Sequence, residues 1–332
     1  MKVLCLGEPV LRLSPRPPLM LHQTDQLSMA FAGSEVTVAK SLALQGDDVA
    51  LASVVSSNTL GERSLMELRR FGVDVSRVQR ADCRLGVYYV ERGGTVRPDR
   101  VLYDRDGTAM RDVGRDDFDW DGLLNGVGSF YFSGVVASIT STLGDVVEDA
   151  LVASKGRGIR TFCDLNFRRG MITPAAAREL WGRLLPYVDV VCGSDEDYVG
   201  IWEREGFEGD GDQCAAAADR LMTANGIQSL AMNRRDVDAG GLLSVRGMLL
   251  SEKGLFRSRS RDVAPMEQSG CGDAFSASIV HGLLNRWDAQ HTLDYAVAHA
   301  AYKATVEGEL SWADEATIER IVTGDARGSI IR

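Results

Sequence analysis

The stretch that says most about this chain reads Ser269-Gly270-Cys271-Gly272-Asp273-Ala274-Phe275. Two glycines stand before an apolar run of small residues, 274–284, which predicts a buried helix. Such a turn leaves backbone N–H groups free at a helix N-terminus, where the helix dipole favours an anion. Asp273 falls in the first turn of that helix. A carboxylate beside an anion site suits a base that takes a proton from a hydroxyl while a phosphoryl group is held nearby.

A plainer interpretation of the same residues is a glycine-rich turn in which Asp273 only offsets the helix dipole. The two interpretations differ in whether the Asp273 carboxylate faces a ligand, and these seven residues alone do not distinguish between them.

Strands and helices alternate along most of the sequence. Short, nearly continuous apolar runs predict strands at 2–6, 49–55, 129–132, 159–163, 188–192 and 228–232. Helices are predicted at 35–44, 61–70, 143–155, 174–185, 213–223, 273–284, 292–306 and 314–322. Because strands this apolar are covered on both faces of a parallel sheet, the pattern predicts a doubly wound α/β fold. Ligands of such folds bind beyond the carboxyl ends of the strands.

Two segments break this alternation. Residues 85–104 predict two strands joined by a Gly93-Gly94 turn, and residues 12–27 are irregular and rich in proline. We expect these segments to form a small β-lid from about 8–30 and 85–105. No repeat, low-complexity tract or linker divides the chain, so a single domain spanning 1–332 is expected.

Composition excludes several classes of partner. A formal net charge of −10 argues against nucleic acid and against an anionic membrane surface. No apolar run is long enough for a membrane span, and the N-terminus lacks the layout of a signal peptide. The six cysteines are far apart, and the four histidines show no metal-ligand spacing. We expect a cytoplasmic protein with reduced cysteines.

The combination resembles the ribokinase-like (PfkB) carbohydrate kinases, from Gly7-Glu8 to the closing residues 328–332. Four motifs are similar to those of members that act on 2-keto-3-deoxygluconate: Leu11-Arg12-Leu13-Ser14, Tyr88-Tyr89, Tyr103-Asp104-Arg105-Asp106 and Asp164-Leu165-Asn166-Phe167-Arg168. The resemblance implies a mainly parallel sheet with a β-lid. It also implies that ATP with Mg²⁺ phosphorylates the terminal hydroxyl of 2-keto-3-deoxygluconate or a close analogue. Members of the family often dimerise through the lid, so a homodimer or higher homo-oligomer is expected.

Site residues follow from the resemblance position by position. Asp273 resembles the catalytic base of the family, and the backbone amides of Gly270, Cys271 and Gly272 resemble its anion hole. The residues expected to contact the sugar acid are Gly33, Tyr89, Tyr103, Arg105, Asn166 and Arg168. Arginines suit this role because a guanidinium grips a carboxylate through two parallel hydrogen bonds. Alternatively, the arginines pair on a solvated face, the tyrosines pack the lid, and Gly33 belongs to an ordinary turn capped by Ser34.

The nucleotide side is expected at Ser194, Arg234 and Lys303. Ser194 and Asp197 match the Asn-x-x-Glu element that lies near Mg²⁺ and phosphate in the family, with Asp197 as a metal ligand, directly or through water. Arg234 and Lys303 stand where the family contacts the nucleotide phosphates and the adenine side. An acidic helix N-terminus explains Ser194 and Asp197 equally well without a metal.

Several positions depart from the family pattern. The usual Asp-Thr-x-Gly-Ala-Gly-Asp reads Glu267-Gln-Ser-Gly-Cys271-Gly-Asp here, and Thr37 replaces an Asn on the substrate side. Ser194 and Asp197 replace the Asn and Glu of the Asn-x-x-Glu element. Two alternatives therefore stay open: another sugar kinase of the family, fructokinase-like or ribokinase-like, and a catalytically weak homologue that binds a sugar acid or nucleotide. A Rossmann dehydrogenase is disfavoured, because no G-x-G-x-x-G follows the first strand, and a P-loop enzyme because no G-x-x-x-x-G-K-[ST] is present.

Overall fold

The fold has fourteen strands and twelve α-helices among the residues described by the computed structural model, which are 1–94, 97–203, 206–207 and 211–324. The strands are β1 (Lys2–Leu6), β2 (Val10–Ser14), β3 (Ser28–Ala32), β4 (Val49–Ser56), β5 (Val78–Ala81), β6 (Val87–Glu91), β7 (Arg100–Asp104), β8 (Val127–Ser133), β9 (Arg160–Asp164), β10 (Val190–Ser194), β11 (Ser229–Val237), β12 (Leu243–Ser251), β13 (Gly254–Arg257) and β14 (Arg261–Val263). The helices are α1 (Ser34–Leu44), α2 (Thr59–Arg70), α3 (Ala109–Asp112), α4 (Trp120–Leu123), α5 (Gly134–Ala137), α6 (Ser141–Gly156), α7 (Pro174–Leu184), α8 (Asp195–Trp202), α9 (Asp212–Asn225), α10 (Cys271–Leu284), α11 (Ala289–Ala304) and α12 (Glu315–Thr323).

A ten-stranded sheet in the order β13-β12-β11-β10-β9-β8-β1-β4-β5, with β14 on β12, forms the centre of the molecule. Its strands from β11 to β5 run parallel, and β12 to β14 add an antiparallel edge. The six strands expected from sequence correspond to β1, β4, β8, β9, β10 and β11, so the α/β fold is confirmed. The antiparallel edge and β5 were not predicted.

Apolar layers cover both faces of the parallel strands. On β1, Val3 and Cys5 belong to the layer that contains α1, α10 and α11, whereas Leu4 and Leu6 belong to the layer that contains α6 and α7. This explains the continuous apolar runs in the sequence, since both faces of each strand are covered. No disulfide bond joins any of the six cysteines, all of which lie within the described residues. None of the described helices has the length and apolar character needed to cross a membrane.

A separate four-stranded sheet, ordered β3-β2-β6-β7, lines one cleft together with the carboxyl ends of central strands of the large sheet. Its strands come from the two stretches expected to form the lid, about 8–30 and 85–105. The expected Gly93-Gly94 turn is part of a longer connection, in which the N–H of Gly94 donates to the carbonyl oxygen of Arg97. Residues 95–96 of that connection and the closing residues 328–332 lie outside the described residues. The extent of the single domain stays a prediction.

Helix α10 begins at Cys271, two residues earlier than expected, because Gly270 can adopt the left-handed conformation that precedes it (φ +83°). A Cβ at Gly270 would lie 1.9 Å from the carbonyl oxygen of Glu309, so a side chain is excluded there. At the start of α1, Gly33 has φ +130°, and its Cβ would lie 2.3 Å from the carbonyl oxygen of Glu8. These two glycines fix the positions of two helix N-termini at the carboxyl ends of the strands.

Candidate active site

A cleft of about 710 Å³ lies between the carboxyl ends of the central strands and the small sheet. Its walls include Asp164 and Ser194 at strand ends and Asn233, which pairs with Ser194 from within β11. The small sheet contributes Val10, Tyr88, Val101 and Tyr103, and the two helix N-termini contribute Gly33, Ser34, Gly270, Gly272 and Asp273. This is the place at which an open parallel sheet binds its ligands.

Asp273 faces this cleft from the first turn of α10 and is 8% exposed. Its Oδ1 accepts a hydrogen bond of 2.6 Å from the hydroxyl of Ser34, which in turn accepts one of 2.7 Å from the side-chain amide of Asn166. The relay joins three chain segments and fixes the direction of the Asp273 carboxylate. The same bond shows that Ser34 is not an ordinary cap residue: Gly33 stands at the N-cap position of α1, and the Ser34 hydroxyl is directed at Asp273.

Burial raises the pKa of Asp273 to about 8. The Ser34 hydrogen bond and the charge of Arg168 oppose that shift, while the carboxylates of Asp164 and Glu309 add to it. Asp164 is itself buried, and burial together with the charge of Asp197 raises its pKa. A carboxyl group with a pKa this close to neutrality can both accept and return a proton, as a general base requires.

The first turn of α10 presents free backbone donors to the cleft, although they are not all the ones expected. The N–H of Cys271 donates to the carbonyl oxygen of Gln268 at 3.2 Å and is therefore not available to an anion. The N–H groups of Gly272 and Asp273 have no acceptor among the described residues, as the first turn of a helix leaves them. A Cβ at Gly272 would meet nothing within 4 Å, so this glycine borders open cleft.

The two expected arginines both line the cleft, but their surroundings differ. The guanidinium of Arg168 makes no hydrogen bond or ion pair with any described residue, and the carboxylates of Asp197, Asp273 and Asp164 act on its charge. The guanidinium of Arg105 is paired with the buried carboxylate of Glu8. Of these two arginines, Arg168 is therefore the one whose guanidinium is open to an anionic ligand.

Of the expected tyrosines, only Tyr103 lines the cleft. Tyr88 lines it as well, opposite Tyr103 in the β6–β7 pair, whereas Tyr89 does not. The expectation for Tyr89 is corrected, because successive residues of a strand face opposite sides of the sheet. The signal was present in the sequence: opposite residues of an antiparallel pair share a face, and a two-residue turn at Gly93-Gly94 also puts Tyr103 on the face of Tyr88.

Ser194 and Asp197 border the cleft, but their side chains are hydrogen bonded to each other. Ser194 caps α8, and the Oδ2 atom of Asp197 accepts hydrogen bonds from the Ser194 backbone N–H (2.7 Å) and hydroxyl (2.6 Å). The Oδ1 atom accepts from the backbone N–H of Phe167 at 2.7 Å. No group of three or more metal-ligating side chains occurs among the described residues. The oxygen atoms of Ser194 and Asp197 fit Mg²⁺ only through water or through the oxygens of a bound ligand, since Mg²⁺ keeps several waters.

The other two expected nucleotide contacts lie outside the cleft. Arg234 lines a separate pocket of about 60 Å³ with Arg246 and Arg257. Lys303 is fully buried on α11, and its ammonium donates to the carbonyl oxygens of Glu267 (3.1 Å) and Val306 (3.0 Å). The prediction that Lys303 contacts a nucleotide directly is therefore wrong, because both hydrogen bonds hold the ammonium inside the protein.

Comparison with known proteins places the chain in a family. Residues 1–314 match the model of the pfkB family carbohydrate kinases. The chain is 29% identical to a 2-dehydro-3-deoxygalactonokinase of Haloferax volcanii over 98% of both chains. A crystal structure of 2-dehydro-3-deoxygluconokinase from Thermotoga maritima superposes with a TM-score of 0.93 at 29% identity, covering 98% of this chain and 100% of that one. A fructokinase with bound ATP from Xylella fastidiosa shares the fold alone, with a TM-score of 0.79 at 18% identity, covering 98% of this chain and 99% of that one.

The fold is that of a carbohydrate kinase. The chain belongs to the pfkB family of carbohydrate kinases. Its similarity to kinases named for 2-dehydro-3-deoxy sugar acids extends over nearly the whole of both chains.

Proposed function

We propose that this kinase transfers the γ-phosphoryl group of ATP to the terminal hydroxyl of 2-keto-3-deoxygluconate or a close analogue. The observation that carries the proposal is Arg168, an unpaired guanidinium in the same cleft as the Asp273 carboxyl. A neutral sugar gives such a cation nothing to neutralise, whereas the carboxylate of a sugar acid binds it through two hydrogen bonds. The two relatives named for sugar acids support the same substrate class.

In this proposal Asp273 takes the proton of the substrate hydroxyl, and the Ser34–Asn166 relay keeps the receiving oxygen in place. The free N–H groups of Gly272 and Asp273, at the positive end of α10, stabilise charge on the transferred phosphoryl group. No covalent step on the protein is needed, since phosphoryl transfer depends on positioning and charge.

ATP and Mg²⁺ are part of the proposal. The fructokinase of the same fold was crystallised with ATP, which supports the choice of nucleotide. Mg²⁺ would neutralise phosphate oxygens and reach the protein near Asp197 and the exposed Glu196, both of which border the cleft, through bound water. Arg234 stays a candidate phosphate contact, although it lines the separate small pocket outside the cleft. A cytoplasmic location is inferred for the enzyme, in keeping with cysteines that form no disulfide bond among the described residues.

We also infer that two copies associate through the small sheet. Two apolar side chains of that sheet do not line the cleft and are strongly exposed: Met29 at 55% and Leu102 at 57%. Exposed apolar side chains grouped on one sheet are typical of an association surface. Light scattering of the wild type and of Leu102→Asp tests this, and a monomeric wild type would contradict it.

The experiment for the activity measures ADP release with Mg²⁺ and ATP for four acceptors: 2-keto-3-deoxygluconate, 2-keto-3-deoxygalactonate, fructose and ribose. We expect turnover with the two sugar acids and little with the neutral sugars. Turnover with fructose or ribose alone would make the protein a different member of the family. Calorimetric binding of a sugar acid without turnover would support a binding homologue instead.

A further inference from the structure

Two glutamates join the small sheet to the loop that carries Gly270. Arg12 on β2 donates to Oε1 of Glu267 at 2.5 Å and to Oε1 of Glu309 at 3.4 Å. Tyr88 on β6 donates its hydroxyl to the same oxygen of Glu309 at 2.5 Å. Polar side chains of two strands of the small sheet therefore end on carboxylates that belong to the main domain.

Arg12 and Glu267 are hidden from the cleft. Their side chains are 6% and 0% exposed, and neither lines the cleft wall, so their charges are not there to bind a ligand. A buried ion pair contributes little more stability than an apolar pair of the same volume. Stability alone therefore does not explain why Arg12 and Glu267 are buried together, whereas the groups that contact them suggest a role.

Both glutamates hold the Gly270 loop. Oε2 of Glu267 accepts a hydrogen bond of 2.8 Å from the N–H of Gly308. The backbone of Glu309 packs on Gly270 so closely that a Cβ there would lie 1.9 Å from the Glu309 carbonyl oxygen. The Glu309 side chain also borders the cleft, where its charge acts on Asp273. The contacts run without interruption from Arg12 to the α10 N-terminus.

We propose that Arg12 and Glu309 are positioning residues: they fix the Gly270 loop against the small sheet and set the charge around Asp273. This inference rests on the proposed kinase function, in which Asp273 is the base. Arg12 acts through Glu309, because its guanidinium compensates the carboxylate that faces Asp273.

Charged and polar groups from several elements surround the carboxyl groups of Asp273 and Glu309. Asp273 is faced by Ser34 on α1, Asp164 at the end of β9, Arg168 after β9, and Glu309 after α11. Glu309 is faced by Arg12 on β2, Tyr88 on β6, Lys40 on α1 and Lys303 on α11. Among these, Arg12 is the one that forms an ion pair with Glu309 within the described residues.

Two substitutions should therefore move the ionisation of Asp273 in opposite directions. Arg12→Met leaves the Glu309 carboxylate less compensated, and the acid limb of kcat/KM should move to higher pH by about 0.5 unit. Glu309→Gln removes a carboxylate and should move that limb to lower pH by about 0.5 to 1 unit. Arg12→Lys keeps the charge and should stay near the wild type, which covers the case in which Arg12→Met folds poorly.

The experiment measures kcat/KM for 2-keto-3-deoxygluconate against pH for the wild type and these three variants. Arg84→Met is the matched control: Arg84 precedes β6 and pairs with Asp104 of β7, away from the Gly270 loop, so its limb should not move. A carbon-13 titration of the Asp273 carboxyl, assigned by its loss in Asp273→Asn, reports the same ionisation without turnover. If no acceptor is phosphorylated, the proposed function fails, and this titration still tests the positioning role.

Opposite shifts of the limb, or of the Asp273 titration, support the inference. An unchanged midpoint in both variants, or shifts in the same direction, would overturn it even if both variants lose activity.

Discussion

The change Asp273→Asn should abolish turnover and at the same time stabilise the protein. Asp273 is buried, and its pKa rises from 3.8 to about 8 in the folded chain. At pH 7 the unfolded chain releases this proton and the folded chain retains most of it, so ionisation favours unfolding. Asn has the same shape and can still accept the Ser34 hydrogen bond, but it has no charge to bury.

The size of the effect follows from the interval between the ordinary pKa and the pH. Each pH unit between 3.8 and 7 corresponds to about 1.4 kcal/mol, which gives an upper limit of about 4 kcal/mol at pH 7. Below pH 3.8 the group is protonated in both states, and the penalty vanishes. The penalty grows as pH rises and levels off above about 8, so the stability gain of the variant should grow over the same range.

Urea unfolding of the ligand-free protein, followed at several pH values between about 5 and 8, measures this difference. Asp197→Asn is the control, since the Asp197 carboxylate accepts three hydrogen bonds from protein donors. An amide nitrogen at one of those positions cannot accept, so that variant should lose about 1 to 3 kcal/mol.

An Asp273→Asn variant that is less stable than the wild type at pH 7, or a stability difference that does not grow with pH, would contradict this prediction. Either result would mean that Asp273 is already ionised in the folded chain. A destabilised Asp197→Asn beside a stabilised Asp273→Asn would separate a structural carboxylate from one kept for chemistry.

Three further outcomes are expected. Arg168→Met should raise KM for a sugar acid at least tenfold with little effect on KM for ATP, and an unchanged KM would contradict the carboxylate contact. The same variant should move the acid limb of kcat/KM to higher pH, because the Arg168 charge lowers the pKa of Asp273. Gly270→Ala should unfold or displace the loop, because its Cβ would lie 1.9 Å from a carbonyl oxygen, whereas Gly272→Ala should fold normally and lose affinity for ATP. Thermal unfolding measures the first effect and steady-state kinetics the second, and equal behaviour of the two variants would argue against a phosphate at Gly272. Glu267→Gln should lower the free energy of unfolding by up to about 3 kcal/mol, because it leaves the buried Arg12 guanidinium with only its longer ion pair to Glu309. An unchanged free energy in urea unfolding would contradict a stabilising role for the Arg12–Glu267 pair.

Much of the site was visible in local sequence patterns. The glycines before α10, Asp273 in its first turn, and the segment from Asp164 to Arg168 after β9 each follow from a short motif at a strand or helix end. Such motifs are reliable here because parallel strands bring their carboxyl ends to one edge, whatever the details of packing. The cleft gathers Asp273, Asn166 and Arg168 for that reason.

Other features depended on partners far away in the chain. Ser34 and Asp273 are 239 residues apart, and no local pattern connects them. The pairing of Arg105 with Glu8 and the capture of Lys303 by two carbonyl oxygens are equally non-local. A family position shows where a side chain starts but not which group it meets, so Lys303 was expected at a ligand and lies in the interior.

The amino-acid sequence by itself determined the α/β alternation, the two glycine-bounded helix starts and the presence of a small second sheet. These depend on apolar periodicity and on glycine conformations that neighbouring residues already specify. Only the folded structure showed which of the two expected arginines stays unpaired and how far the pKa of Asp273 rises. Burial and charge pairing are sums over residues that only folding brings together, and for that reason the chemistry of the site could not be calculated from the order of its residues.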